Sequence, residues 1–373
     1  MTKAQTLLEN LNLNYRQLHE KFEELFWLFK MGDHGQEEAM NKAQSARDNF
    51  RSDRANLESV ELLINDPGTN QEDRPRLQIW SGFFKLYQIP QDLMPLRDRI
   101  MALESKIGAT LASQNEGYMD PRTGKFTEAS KLKIQMLMRT SPDESVRKSC
   151  FDALSELAVK VIDEYIEVVK LRNKFAKALG FEDFYAYKLK TSEGMTKNQV
   201  FSIFEEIYNK TSRTFSEIRE FEKIKPGLRK PWNFRFMMSG SFTKEEDPYY
   251  QFENALILWG RSFAALGIDF KGGTLQLDLL DRKGKYNNGF CHYPKIVSFE
   301  NGQRHPGASN LTCNVVNGQV GAGFQGGHTL FHECAHAADR LNSEQQETCL
   351  NTEYPSASVA WAETHSQFCD EMY

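Results

Sequence analysis

The chain has 373 residues, 40% of them hydrophobic and 12% aromatic, which is enough apolar material for two or more globular lobes. A net charge of −5, a pI near 6.0 and the lack of any basic run interleaved with aromatics exclude the electrostatic footprint of a nucleic-acid binder. No apolar stretch is long enough to cross a bilayer, Met1–Thr6 opens into an amphipathic helix without an apolar signal core, and six cysteines without paired spacing read as reduced residues of a cytoplasmic protein.

In chain order, the first two thirds read as helix almost throughout. Ser141, Pro142 and Glu144 have the N-cap, first-turn and N3 identities of a capping box. Leu154, Leu157, Ala158, Val161, Tyr165 and Val168 then repeat at helical period up to Gly180, which predicts one long core helix. Thr196 and Gln199 form a second box, opening a helix that carries Val200, Ile203, Phe204 and Ile207; these and the recurrent aromatics are expected to be packing residues. After Gly272 the pattern changes. Leu275, Leu277 and Leu279 alternate with polar residues, as do Leu311, Cys313 and Val315, with turn signals at Lys283-Gly284-Lys285 and Asn287-Asn288-Gly289 between them. This predicts a small antiparallel sheet, whose Leu311–Val315 strand is either an edge that pairs with an extended peptide or a buried structural strand. Glycines 318, 321, 323, 326 and 327 read as a mobile loop, in poor order for a phosphate loop.

The next helix carries the most informative residues, His332-Glu333-Cys334-Ala335-His336. Residues i and i+4 share a helix face, so both imidazoles can reach one ion, and Glu333 stands where a base can take a proton from a water that zinc acidifies towards pH ~7. Leu330, Phe331, Cys334, Ala335, Ala338 and Leu341 form the apolar stripe of this helix, which points Cys334 away from the metal side. The pattern from Trp361 to Asp370 supplies a third ligand: Glu363 lies on a polar face with Ser366, Gln367 and Asp370, while Trp361, His365, Phe368 and Met372 line the other side. Asp370 and Gln367 are expected to orient the ligands by hydrogen bonds. His365 is a competing ligand; His328 is a weaker one, because three successive turns of one helix diverge around its axis.

Thr329–Ala337 and Glu363–Gln367 resemble the two zinc motifs of the thimet oligopeptidase and oligoendopeptidase F family of metallopeptidases. Asp281–Lys285 leading to Gly289–His292, and Leu171–Lys174 with Leu179–Phe181, resemble further stretches of that family, so the likeness spans most of the chain. The resemblance implies a mainly α-helical, two-lobed architecture with a small sheet beside the zinc helix. It implies one Zn2+ held by His332, His336 and Glu363, with Glu333 as the general base. Asp370 stands where the family has a supporting glutamate, Cys334-Ala335 where it commonly has Phe-Gly, and His365 where it has proline.

Family members continue beyond the second motif into a helical C-terminal portion that supplies oxyanion-stabilising tyrosine and histidine, whereas this sequence stops at Tyr373. The chain thus resembles the N-terminal two thirds of such an enzyme: a shortened chain, one piece of a split enzyme completed by a partner polypeptide, or a degenerate relative. The expected organisation is a helical lobe over 1–271 and, over 272–373, the sheet and zinc helices. The expected function is zinc-dependent hydrolysis of short oligopeptides; the alternative is a non-catalytic peptide-binding scaffold whose zinc is structural, with four protein ligands and no open position.

Overall fold

A computed structural model describes residues 1–300, 302–352 and 359–373. Helices α1 (Lys3–Lys30), α2 (Glu37–Ser52), α3 (Arg54–Asn65) and α4 (Asp73–Tyr87) open the chain. The Thr2 side chain and the Gln5 amide start α1 by capping each other's backbone N–H. Leu8, Leu11 and Tyr15 of α1, Val60 of α3, and Leu77, Trp80, Phe83 and Phe84 of α4 fall at helical spacing and close a first core, which Cys349 joins from the far end of the chain. Each such large side chain contributes about 1.5–3 kcal/mol by leaving water.

Then come α5 (Met94–Ala112), the hairpin β1 (Gly117–Asp120) and β2 (Lys125–Glu128), α6 (Lys131–Thr140), α7 (Glu144–Val159), α8 (Ile162–Ala178), α9 (Phe184–Lys188) and α10 (Lys197–Ile224). The single long helix expected from Leu154 onward is two helices, interrupted at Lys160 and Val161. Its start also differs: Asp143 is the N-cap, its carboxylate accepting from Ser145 N, and Ser141 lies before the helix. An Asp two residues after a Ser competes for the same backbone donors, and a carboxylate is the stronger acceptor. The Thr196–Gln199 box is present at the start of α10, but the helix it opens is not buried. Phe201, Ile203, Phe204, Ile207, Tyr208 and Phe215 are all exposed.

The last part comprises α11 (Phe234–Glu246), α12 (Phe252–Ala265), β3 (Thr274–Leu280), β4 (Phe290–Lys295), the hairpin β5 (Ser298–Glu300) and β6 (Gln303–His305), β7 (Ala308–Val315), α13 (Ala322–Leu341), α14 (Val359–Ala362) and α15 (Thr364–Asp370). The mainly helical architecture with a small sheet beside α13 is the expected one. The sheet runs β3-β7-β4, with β3 parallel and β4 antiparallel to β7, so it is mixed. β7 lies between β3 and β4, so Leu311 and Thr312 belong to a strand paired on both sides, while Cys313–Val315 runs past the last β4 pairing and continues along β3 alone.

The expected apolar stripe of α13 is in place: Leu330, Phe331, Cys334, Ala335, Ala338 and Leu341 are buried, most of them against Ala255 and Phe263 of α12, Leu311 of β7 and Cys369 of α15. The glycines read as a mobile loop are largely part of this helix. A Cβ at Gly323 would overlap the carbonyl of Tyr250, one at Gly326 the Val315 side chain, and one at Gly327 the Tyr373 ring. They are glycines because three elements approach the first turns of α13 to backbone distance.

Candidate metal centre

Helix α13 presents His328, His332 and His336 from successive turns, and Glu363 stands at the junction of α14 and α15, as the N-cap residue of α15. The pattern from Trp361 to Asp370 is thus two short helices around Glu363. Cys369 and Tyr373 pack α15 onto α13, which turns the polar face of α15 toward the histidines and leaves Trp361 and Phe368 on the outside. Met372, expected on that outer face, packs against the core.

Three donor atoms converge. His332 Nε2 and His336 Nε2 are 3.2 Å apart, and each lies 3.3 Å from Glu363 Oε2. A tetrahedral ion with bonds of ~2.0–2.1 Å requires ligand separations of ~3.3–3.4 Å, so the donors stand close to three corners of a zinc-sized tetrahedron. Among the described residues these three side chains are the ones whose ligand atoms come together closely enough to hold a metal ion.

The surroundings fix the donors. Asp370 Oδ2 accepts a hydrogen bond from His332 Nδ1 at 3.1 Å, which leaves the lone pair of that ring on Nε2. Ser366, fully buried, donates to Glu363 Oε2 at 2.6 Å. Burial, although opposed by Glu363, lowers the His336 imidazole below its usual value, with His332 and His365 acting in the same direction. Burial pulls Glu363 upward, but the Ser366 hydrogen bond and the two imidazoles outweigh it and hold the carboxyl below its usual range.

Glu333 lies on the same helix, 7% exposed, at the wall of a cleft of about 620 Å³ that also reaches Phe290, Tyr293, His336, Arg340 and Glu363. Burial raises its carboxyl to about 7, and Glu363 and Asp370 add to the rise against His332. A divalent cation held by its neighbours would draw it down again. Gly289 leaves room for this carboxylate: a Cβ there would overlap Thr329 and stand 3.3 Å from Glu333 Oε1.

The loop before Gly289 is held from below. Lys285, its side chain fully buried, donates to Asp278 O, Asp278 Oδ1, Leu280 O and Cys313 O at 2.8–2.9 Å. Arg282 grips the same Asp278 carboxylate with both terminal nitrogens and also bonds Met31 O of the residue that closes α1. The Asp281–Lys285 segment is therefore a brace that sets Gly289 against α13.

Residues 137–373, well over half of the chain, match the model of peptidase family M3. The chain belongs to peptidase family M3. A comparison with curated protein sequences returned no match. Among solved structures, PZ peptidase A with inhibitor 2 is 16% identical with a TM-score of 0.58, over 97% of this chain and 67% of that one. The M32 carboxypeptidase from Deinococcus radiodurans R1 is 12% identical with a TM-score of 0.57, over 98% and 60%. A protein described as an oligoendopeptidase F, from Bacillus anthracis str. Ames, is 17% identical with a TM-score of 0.57, over 95% and 69%. The M3 chain thus spans roughly two thirds of the length of these structures, and at such identities the likeness concerns the fold.

In this M3 chain the other sequence candidates take different places. His328 Nδ1 sits 3.4 Å from Asp370 Oδ1, on the carboxylate rather than among the three donors. His365 stands edge-on to His336, ring centroids 5.2 Å apart, and its buried Nε2 finds no hydrogen-bond partner among the described residues. Cys334 faces the core, where burial pushes its thiol well above the usual range. Gln367 is exposed, and the hydrogen bond expected of it is made by Ser366, one residue earlier. Ser366 lies on the buried side of α15 three residues after Glu363, where its short hydroxyl reaches that residue's carboxylate, while Gln367 one position on faces outward.

Proposed function

We propose that this M3 chain is a zinc-dependent endopeptidase acting on short oligopeptides, with His332, His336 and Glu363 holding the ion and Glu333 as general base. The observation that carries the reading is the tetrahedral spacing of the three donors beside a buried carboxyl on a peptide-sized cleft. Bound there, zinc would acidify water and polarise a peptide carbonyl. The protein supplies the rest. Asp370 keeps the proton of His332 on Nδ1, and Ser366 orients Glu363. Glu333, buried on the wall of the cleft beside the donors, takes the proton of the attacking water on its carboxylate and delivers it to the leaving amine. The donor set has three protein members, the number a catalytic zinc site uses while leaving one position open.

Two further parts belong to the proposal. A helical segment, from this polypeptide or a partner, is proposed to cover the apolar face of α10 and the outer side of α15, and full activity needs it. The exposed Phe201, Phe204, Ile207, Trp361 and Phe368 support this. We also read 1–271 and 272–373 as two lobes, with α1 packed on β4 of the second. A cytoplasmic setting is supported by six free cysteines; no helix among the described residues is long and apolar enough to cross a membrane.

The test is Glu333→Gln in a fluorogenic-peptide assay with parallel metal analysis. Cleavage is expected to fall by about 10²–10⁴ with zinc content unchanged. Undiminished cleavage removes Glu333 from the reaction; zinc bound with no cleavage by any form of the chain, alone or with the covering segment, favours the scaffold.

A further inference from the structure

A second, smaller cavity of about 50 Å³ lies between α6, the Asn287–Gly289 turn, the end of β7 and the start of α13, and it shares Asn288, Gly289 and Thr329 with the large cleft. We propose that it is a substrate subsite for a primary carboxamide, the side chain of asparagine or glutamine; this deepens the peptidase reading and rests on it.

The argument is a count of hydrogen-bonding groups. Asn314 and Gln319 line the cavity, and three of their side-chain atoms are buried without a partner among the described residues: Asn314 Nδ2, Asn314 Oδ1 and Gln319 Oε1. Gln319 Nε2 is already engaged, donating to Lys133 O at 3.4 Å. Buried polar atoms left in this state have lost water without replacing its hydrogen bonds, so the cavity calls for a complement. It must accept from one N–H group and donate to two carbonyl oxygens. A primary carboxamide does both: its oxygen accepts from Asn314 Nδ2 while its two N–H bonds go to Asn314 Oδ1 and Gln319 Oε1. A hydroxyl has a single proton to give. A carboxylate has none, and among the described residues no charged side chain lines the cavity to receive it.

Size and place agree with this. A water needs ~10–15 Å³ by the same measure, so about 50 Å³ admits the three heavy atoms of a carboxamide and excludes an aromatic ring. The two spaces share Asn288, Gly289 and Thr329 as a common wall, in which Gly289 packs against Thr329 beside Glu333. The proposal places the peptide main chain in the cleft and the carboxamide of a flanking residue in the adjoining cavity.

The experiment uses the zinc-loaded full chain and peptide sets that differ only at the residues flanking the scissile bond, with Asn against its isosteres Asp and Leu, and Gln against Glu and Met. The carboxamide peptides are expected to show kcat/KM at least about tenfold higher at one flanking position. Asn314→Leu and, separately, Gln319→Met are expected to bring the ratio close to one without lowering cleavage of the Leu and Met peptides. Calorimetric binding of the same peptides is measured in parallel, so that the subsite is read without turnover. Carboxamide-selective binding without cleavage overturns the peptidase reading and leaves the subsite standing. Cleavage without carboxamide selectivity, or selectivity that survives both substitutions, overturns the subsite and assigns the cavity to ordered water.

Discussion

Glu347→Ala is expected to destabilise the protein by about 3–5 kcal/mol, the cost of removing one partner from a buried charged cluster. Glu347 is 1% exposed, and its carboxylate accepts from Trp80 Nε1 at 2.8 Å and Asn12 Nδ2 at 2.7 Å and pairs with Arg76. The three partners do not lose equally. Trp80 is fully buried, so its indole N–H would be orphaned at about 1–3 kcal/mol. Asn12 Nδ2 retains Leu8 O at 2.8 Å and loses one bond of two. Arg76, its side chain 31% exposed, can turn to water and contributes least. Closing the cavity left by the side chain adds the remainder. Glu347→Gln keeps the shape and one acceptor but turns an NH2 group toward donors, and is expected to cost about 1–2 kcal/mol. Urea denaturation followed by circular dichroism measures both. A loss below about 1 kcal/mol for Ala, or equal losses for Ala and Gln, would refute the view that this carboxylate ties the segment after α13 to α1 and α4.

Asp370→Ala is expected to weaken zinc binding by about 10–100-fold in chelator competition, because the His332 ring loses the acceptor that fixes it; unchanged affinity removes Asp370 from the site. Saturating zinc at ~100 times its dissociation constant is expected to raise unfolding stability by about 2.7 kcal/mol, and His332→Ala to abolish the rise. Gly327→Ala places a methyl group into the Tyr373 ring and is expected to cost about 1–3 kcal/mol, seen in the same denaturation assay. Burial pulls Asp278 upward, but its hydrogen bonds to Arg282 and Lys285 hold it below the usual carboxylate range. The stability it contributes is therefore present above its unfolded value of ~3.9 and is lost as pH falls through the lower folded value, a slope that Asp278→Asn should flatten.

What was legible in the sequence was what depends on local period. Two histidines four apart on a helix share a face, and Thr196 with Gln199 caps α10, whereas the like signal at Ser141 and Glu144 lost the N-cap to Asp143 between them. The alternating leucines from 275 to 279 gave a strand for the same reason. What was not legible depends on partners distant in the chain. Period says which face of α10 is apolar but not that the described residues leave it uncovered. Glycines 323, 326 and 327 look the same in a loop and in a helix pressed by Tyr250, Val315 and Tyr373, since both need a missing Cβ. Strand order is invisible in alternation, so β7 could be placed at an edge when it lies between β3 and β4. Glu347 carries no local signal at all: its partners Asn12 and Trp80 are 335 and 267 residues away.

The arrangement of the donors also says how the site is built. Nδ1 of His332 meets Asp370, its Nε2 faces the Nε2 of His336 at 3.2 Å, and the Glu363 carboxylate faces both. Three electron-rich atoms at this distance repel one another unless a proton or a cation stands between them. They are kept there by packing away from the repulsion: the buried stripe of α13, the glycine contacts at its start, and Cys369 and Tyr373 pressing α15 onto it. With the donors positioned by that packing, the proposed zinc would require little rearrangement of them. Protons compete for the same lone pairs, so retention of the proposed metal would fall with acidification whether or not the chain turns over a peptide.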